Sequence, residues 1–155
     1  MAECVAHLNL TSEAYLPLIR DAIEHGRQLE LPSRSRYRRD LIGCFLCWSA
    51  EPPVRLRVKT TASFVPTAPG SRAELLMQFD RLQAQLVDCL LAADGLRLAK
   101  LKIRSPFDRR LRYNLYSCFR VIPAHQRRHL WQAEQVLRAL VSAGQGGAED
   151  DGLQN

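Results

Sequence analysis

Between Ala2 and Glu30 the apolar residues Val5, Leu8, Tyr15, Leu18, Ala22 and Leu29 return at steps of three, four or seven. That period is the mark of a helix with one buried face. Pro17 has no N–H to give, so a bend or one open hydrogen bond is expected within it. A loop at Pro32 and Ser33 leads to the apolar stretch Leu41 to Trp48, a second and shorter helix closed by Pro52 and Pro53. Val54, Leu56 and Val58 then alternate with Arg55, Arg57 and Lys59, the pattern of a strand. No second convincing strand stands beside it, and Val54 to Thr67 is expected to be an extended connector.

Ser71 followed by Glu74 forms a capping box, the start signal of a helix that carries Leu75, Leu76, Phe79, Leu82, Leu86 and Leu90 on one broad face and ends at Asp94 and Gly95. From Leu96 to Phe107, apolar Leu96, Leu98, Leu101 and Ile103 are separated by basic residues, and Pro106 breaks the run; this is a second extended crossing. The last helix is predicted from Leu111 to about Ser142, interrupted only by Pro123. Gly144, Gly146 and Gly147 release the chain into a polar tail expected to be disordered. The expected organisation is one all-α bundle over residues 1–143, with extended crossings between helices, and a tail over 144–155.

The length of 155 residues suits one domain able to bury a core without disulfides. The longest apolar run, Cys89 to Ala93, is far short of the roughly 20 residues that a membrane helix needs. With no secretory signal at the N-terminus, a soluble protein with no membrane partner is expected. Five cysteines, an odd number scattered through apolar surroundings, fit reduced thiols in a cytoplasm. Cys44 and Cys47 form a Cys-x-x-Cys pair, but no βαβ context surrounds it, and Phe45, Leu46 and Trp48 favour core packing over redox chemistry. The net charge of +6 points to an anionic partner. Arg34, Arg36, Arg38 and Arg39 are the densest basic group, without aromatic interleaving, which leaves nucleic-acid binding a minor hypothesis.

Chemistry enters with the histidines, of which there are four. His125 and His129 stand one helical turn apart, on the face that also carries Asn114, Cys118, Ile122, Gln132, Val136 and Leu140, and so should point into the bundle. Gln126 stands where a zinc protease of the His-Glu-x-x-His kind has its glutamate, so a protease reading is poor. His7 shares its side of the first helix with Leu10, Ala14 and Leu18 and also faces a neighbour. Read from the residues alone, His7 is either a ligand or a core histidine satisfied by Asn114 or Gln132. His25 falls on the same face some five turns away, too far to join a common ion. Cys118, two turns before His125, reads as a small buried hydrophobe.

The opening Ala2-Glu3-Cys4-Val5-Ala6-His7-Leu8-Asn9-Leu10-Thr11 resembles the segment in which DinB-like proteins deliver their first metal-binding histidine. Tyr113-Asn114-Leu115 and His125-Gln126-Arg127-Arg128-His129-Leu130-Trp131 resemble the family's last helix, and Val58 to Pro66 and Ser105-Pro106-Phe107 resemble its middle. The resemblance implies an up-down helical bundle with one divalent ion, zinc or nickel, held by His7, His125 and His129. Relatives usually carry a further helix before the first histidine, where this chain has six residues, and Gln126 stands at a position often acidic in them. Either the sequence starts late or the bundle lacks most of that helix; in the second case an apolar groove is expected, with a homodimer or poor solubility as the consequence. Relatives that use low-molecular-weight thiols such as bacillithiol, mycothiol or glutathione make a metal-dependent thiol transferase acting on an electrophilic small molecule the expected function. A non-catalytic metal-tied bundle and a metal-dependent hydrolase are the alternatives. Arg128, beside the histidine face, is the candidate contact for the thiol's carboxylate, and the walls of the pocket are expected from the two crossings.

Overall fold

A computed structural model describes residues 2–29, 37–56, 61–67 and 70–146. It is an all-α bundle of four helices, α1 (Ala2–Gln28), α2 (Leu41–Ala50), α3 (Arg72–Ala92) and α4 (Leu115–Gly146). The crossings hold one 3₁₀ turn (Ala62–Phe64) and a short antiparallel pair, β1 (Lys102–Arg104) and β2 (Arg112–Asn114). The loop at Pro32 and Ser33, Arg34 and Arg36, the alternation from Arg57 to Lys59, and the tail from residue 147 lie outside the described residues. Among the described residues no helix is long and apolar enough to cross a membrane.

Helix α1 packs along α3 and against α4, while α2 packs only on α4 among the helices it contacts extensively. The centre of the core is Tyr15, Ile19, Leu82, Leu86, Leu101, Tyr113, Leu115, Cys118 and Ile122. Pro17 lies on the exposed side of α1, and the helix runs through it without ending. The capping box at α3 forms as its sequence demands: Ser71 Oγ accepts from the Glu74 backbone N–H, and the Glu74 carboxylate accepts from the Ser71 N–H.

Three expectations are corrected. Leu111 to Asn114 do not open the last helix: Arg112 to Asn114 pair with Lys102 to Arg104 as a short antiparallel strand pair. Asn114 instead caps α4, its side-chain oxygen accepting from the Ser117 N–H at 2.7 Å. The buried face of α3 is narrower than expected, Leu75, Leu82, Leu86 and Cys89, with Leu76 and Leu90 close to half exposed. Val136 and Leu140 are exposed, because α4 runs past the end of its neighbours to Gly146.

One carboxylate ties the N-terminal end of α2 to the N-terminal end of α4. Asp40 caps α2 by accepting from the Gly43 N–H at 3.0 Å. It also accepts from Ser117 Oγ at 3.0 Å, from the Asn114 N–H at 2.8 Å and from Lys102 Nζ at 2.5 Å. Gly43 sits so close to α4 that a β-carbon there would lie 2.0 Å from Ser117 Oγ. This contact fixes where α4 starts and hence which turn of α4 faces α1.

Burial would raise the pKa of Asp40, but the bonds from Lys102, Gly43, Ser117 and Asn114 outweigh it and hold the carboxyl below its ordinary value. A depressed carboxylate stabilises the fold above its unfolded pKa, and that contribution is lost as the pH falls through the folded value. Asp40→Asn should therefore lower the urea midpoint at pH 7 and flatten its decline in acid; a midpoint and pH profile like the wild type's would refute the role of Asp40. Gly43→Ala should cost about 1–3 kcal/mol through forced separation of α2 from α4, read from the same denaturation curves.

Candidate metal centre

His7 is buried in the second turn of α1, and His125 and His129 occupy successive turns of α4, half-buried against it. The tilt of helical side chains toward the N-terminus lets residues four apart meet over one point. His129 Nε2 lies 3.1 Å from His125 Nε2, and His7 Nε2 lies 3.4 Å from the same atom. All three ligand-capable nitrogens fall within 4.8 Å of one another. Zinc–nitrogen bonds of about 2.0–2.1 Å at tetrahedral angles put ligand nitrogens about 3.3 Å apart, so the spacing suits one ion bound to all three.

The ring of His7 is held for that role. Its Nδ1 donates to the Phe64 carbonyl at 2.8 Å, which fixes the proton on Nδ1 and leaves the Nε2 lone pair facing the other two rings. The 3₁₀ turn at Ala62–Phe64 presents that carbonyl. The Phe64 and Phe107 rings, 4.4 Å apart between centroids, wall the cluster, with Phe107 5.7 Å from His125 and 6.5 Å from His7. Beneath them Tyr15 and Tyr113 share a hydroxyl contact of 2.5 Å, which joins α1 to β2. Burial is the main cause that pushes both tyrosines' pKa values up.

Burial first, then the neighbouring His129, His7 and Arg128, pushes His125 down to about 3. Burial, His7 and Arg128 push His129 down to about 4. Both rings are therefore neutral near pH 7, the form that can ligate a metal. The set has three nitrogen donors and no carboxylate.

The histidines open into a cavity of about 360 Å³, a size suited to a small molecule. Both crossings contribute to its walls, Thr61 from the first and Ser105 and Phe107 from the second, but most of the lining comes from α2 and α4. Among its lining residues Arg128 and Asp108 are the charged ones. Arg128 donates to the Ser49 carbonyl at 2.9 Å and to the Leu56 carbonyl at 2.7 Å. Arg127 points away and pairs with Glu51.

His7 is satisfied by the Phe64 carbonyl and not by the two residues expected as alternatives: Asn114 caps α4 and bonds the Arg38 carbonyl, and Gln132 lines the cavity. Gln126 does not touch the cluster; it donates to Gln83 of α3. His25 is exposed and apart from the site, and Cys118 is fully buried in the core. Cys44 departs from the expectation of core packing, for it is exposed while Cys47 is buried. The carbonyl of Phe64 carried no signal in the sequence, since any residue supplies one; only its position in the fold makes it the partner of His7.

The sequence profile of the DinB superfamily matches residues 1–133, a span that contains all three histidines. No curated protein and no solved structure matches the chain.

In metal-free protein the unfolded chain takes up protons on His125 and His129 below the ordinary histidine value of about 6.5, while the folded chain does not until about 3 and 4. The folded state should then lose stability steadily as the pH falls from about 6.5 toward 4. Ring resonances followed by NMR should find both histidines still neutral at pH 5.5; protonation of either at its ordinary pKa would contradict the buried, mutually facing arrangement.

Proposed function

The chain belongs to the DinB superfamily, and on that premise we propose that His7, His125 and His129 hold one zinc or nickel ion and that the protein is a metal-dependent transferase for a low-molecular-weight thiol. The observation that carries this reading is three imidazoles, with His125 and His129 held neutral, converging at one end of a cavity of small-molecule size. An ion held by three neutral donors keeps its full positive charge and an open position, and lowers the pKa of a bound thiol or water toward neutrality. The chain's own part is to fix the three rings, to shield them with Phe64 and Phe107, and to orient the substrate.

Arg128 is proposed as the contact for a substrate carboxylate. Its two bonds to backbone carbonyls use two of the five guanidinium N–H groups and immobilise the side chain, leaving three donors on a fixed cation at the cavity wall. Asp108, which also lines the cavity, suits an ammonium group such as the one glutathione carries. The acceptor is an electrophilic small molecule that fits beside Phe107 and Ile122.

We place the protein in the cytoplasm, a reading supported by its five free thiols. A homodimer is proposed along the line where Gln126 of α4 meets Gln83 of α3. Leu76, Val87 and Leu90 on α3 and Leu130, Leu137 and Leu140 on α4 recur on those sides, each between 44% and 65% exposed.

Metal-loaded protein should consume thiol and electrophile together, and His129→Ala should abolish this. Arg128→Gln keeps a donor for the backbone carbonyls and should raise the KM for an anionic thiol about 10- to 100-fold, the worth of a charge-assisted hydrogen bond, with metal content unchanged. An unchanged KM removes Arg128 from the substrate site. Absence of thiol consumption with any electrophile, in protein that retains its ion, would make the ion a structural tie between α1 and α4.

A further inference from the structure

Helix α2 separates two cavities. Leu46, Ser49 and Ala50 face the histidine cavity, while Cys44, Cys47, Trp48 and Glu51 face a second one of about 320 Å³, completed by Arg39, Arg55 and Arg120. The sole carboxylate lining this second cavity, Glu51, is gripped by Arg127 through both of its oxygens. Arg55 is held over the Trp48 ring, 5.5 Å from its centroid, and donates to the Trp48 and Glu51 carbonyls. Arg39 lines the same cavity as Cys47. Three guanidiniums thus line one cleft with two thiols, and the exposed thiol is Cys44.

We propose that this cleft binds an anionic low-molecular-weight disulfide and that Cys44 exchanges with it, so that the protein is thiolated at Cys44 independently of the histidine site. The arginines supply the recognition: a disulfide bearing carboxylates is drawn into the cleft and held against Arg39, Arg55 and Arg120, whereas a cationic one is repelled. The Cys44 thiol releases its proton to solvent, and the thiolate attacks one sulfur of the disulfide. The bond between the two ligand sulfurs breaks as the bond from Cys44 forms, and the departing thiolate takes up a proton.

Cys47 does not complete a dithiol cycle. Residues three apart in a helix hold their β-carbons about 5–6 Å apart, beyond the roughly 3.5–4.5 Å that a disulfide spans. Both cysteines lie within α2. The mixed disulfide on Cys44 therefore accumulates, in contrast to a thioredoxin-like pair, in which the second cysteine displaces the adduct.

The test uses the full chain and three disulfides: oxidised glutathione (anionic), bis(2-hydroxyethyl) disulfide (neutral) and cystamine (cationic). Each rate is normalised to that of the same reagent with a neutral small thiol, and products are mapped by mass spectrometry. One glutathione adduct per chain, on Cys44, is expected, forming at least about 10-fold faster than the cystamine adduct at low salt. Raised salt should erode that preference, Arg39→Gln with Arg120→Gln should remove most of it, and Arg39→Lys should retain it. Equal or faster reaction with cystamine, an adduct confined to Cys4, or loss of two hydrogens without an adduct would each overturn the proposal.

Discussion

Imidazole nitrogens with facing lone pairs repel one another unless a proton or a cation lies between them, and at the junction of α1 and α4 three imidazole nitrogens are brought within 4.8 Å of one another. His7 and His125 are 118 residues apart in the chain, yet their Nε2 atoms are 3.4 Å apart. Burial keeps the His125 and His129 rings uncharged, and the Phe64 carbonyl accepts from Nδ1 of His7 and holds its Nε2 toward them. A divalent ion shared by the three nitrogens would turn this arrangement into a favourable one and would link the folding of the two ends of the chain to metal binding.

The remainder of the fold serves to hold that junction. Tyr15 and Tyr113 connect α1 to β2 through their hydroxyls, and β2 leads directly into α4. Asp40 and Gly43 clamp α2 onto Ser117, two turns before His125, so the register of the histidine turn is set from the far side as well. Arg128 repeats the device one turn further on, fastening α4 to the Ser49 and Leu56 carbonyls. The result is a preformed site whose ligands come from helices and whose walls come from α2, α4 and the two crossings.

Helices and ligands were legible in the sequence because each has a period. The three-and-four spacing located α1 and α3, and the same rule applied to His125 and His129 predicted that both face inward. His7 alone was ambiguous; it needed the resemblance, because a single histidine has no spacing to interpret. What escaped were features fixed by tertiary contact. A three-residue strand such as β2 is too short to alternate visibly, and its pairing with β1 depends on a turn containing Pro106 and Asp108. Asp40 reads as one more charged residue until Asn114, Ser117 and Lys102 surround it. Cys44 looked apolar in its sequence context, yet α2 buries Gly43 and Cys47 and turns Cys44 to solvent beside arginines brought from three separate segments.

The measurement that bears most directly on this account is the metal content of purified protein, determined by elemental analysis for the wild type and for His7→Ala and His129→Ala. The account predicts about one zinc or nickel per wild-type chain and its loss in both variants, including the one that leaves the α4 pair intact. A wild type that holds no ion even after incubation with zinc or nickel would contradict it, as would a His7→Ala protein that retains its ion undiminished.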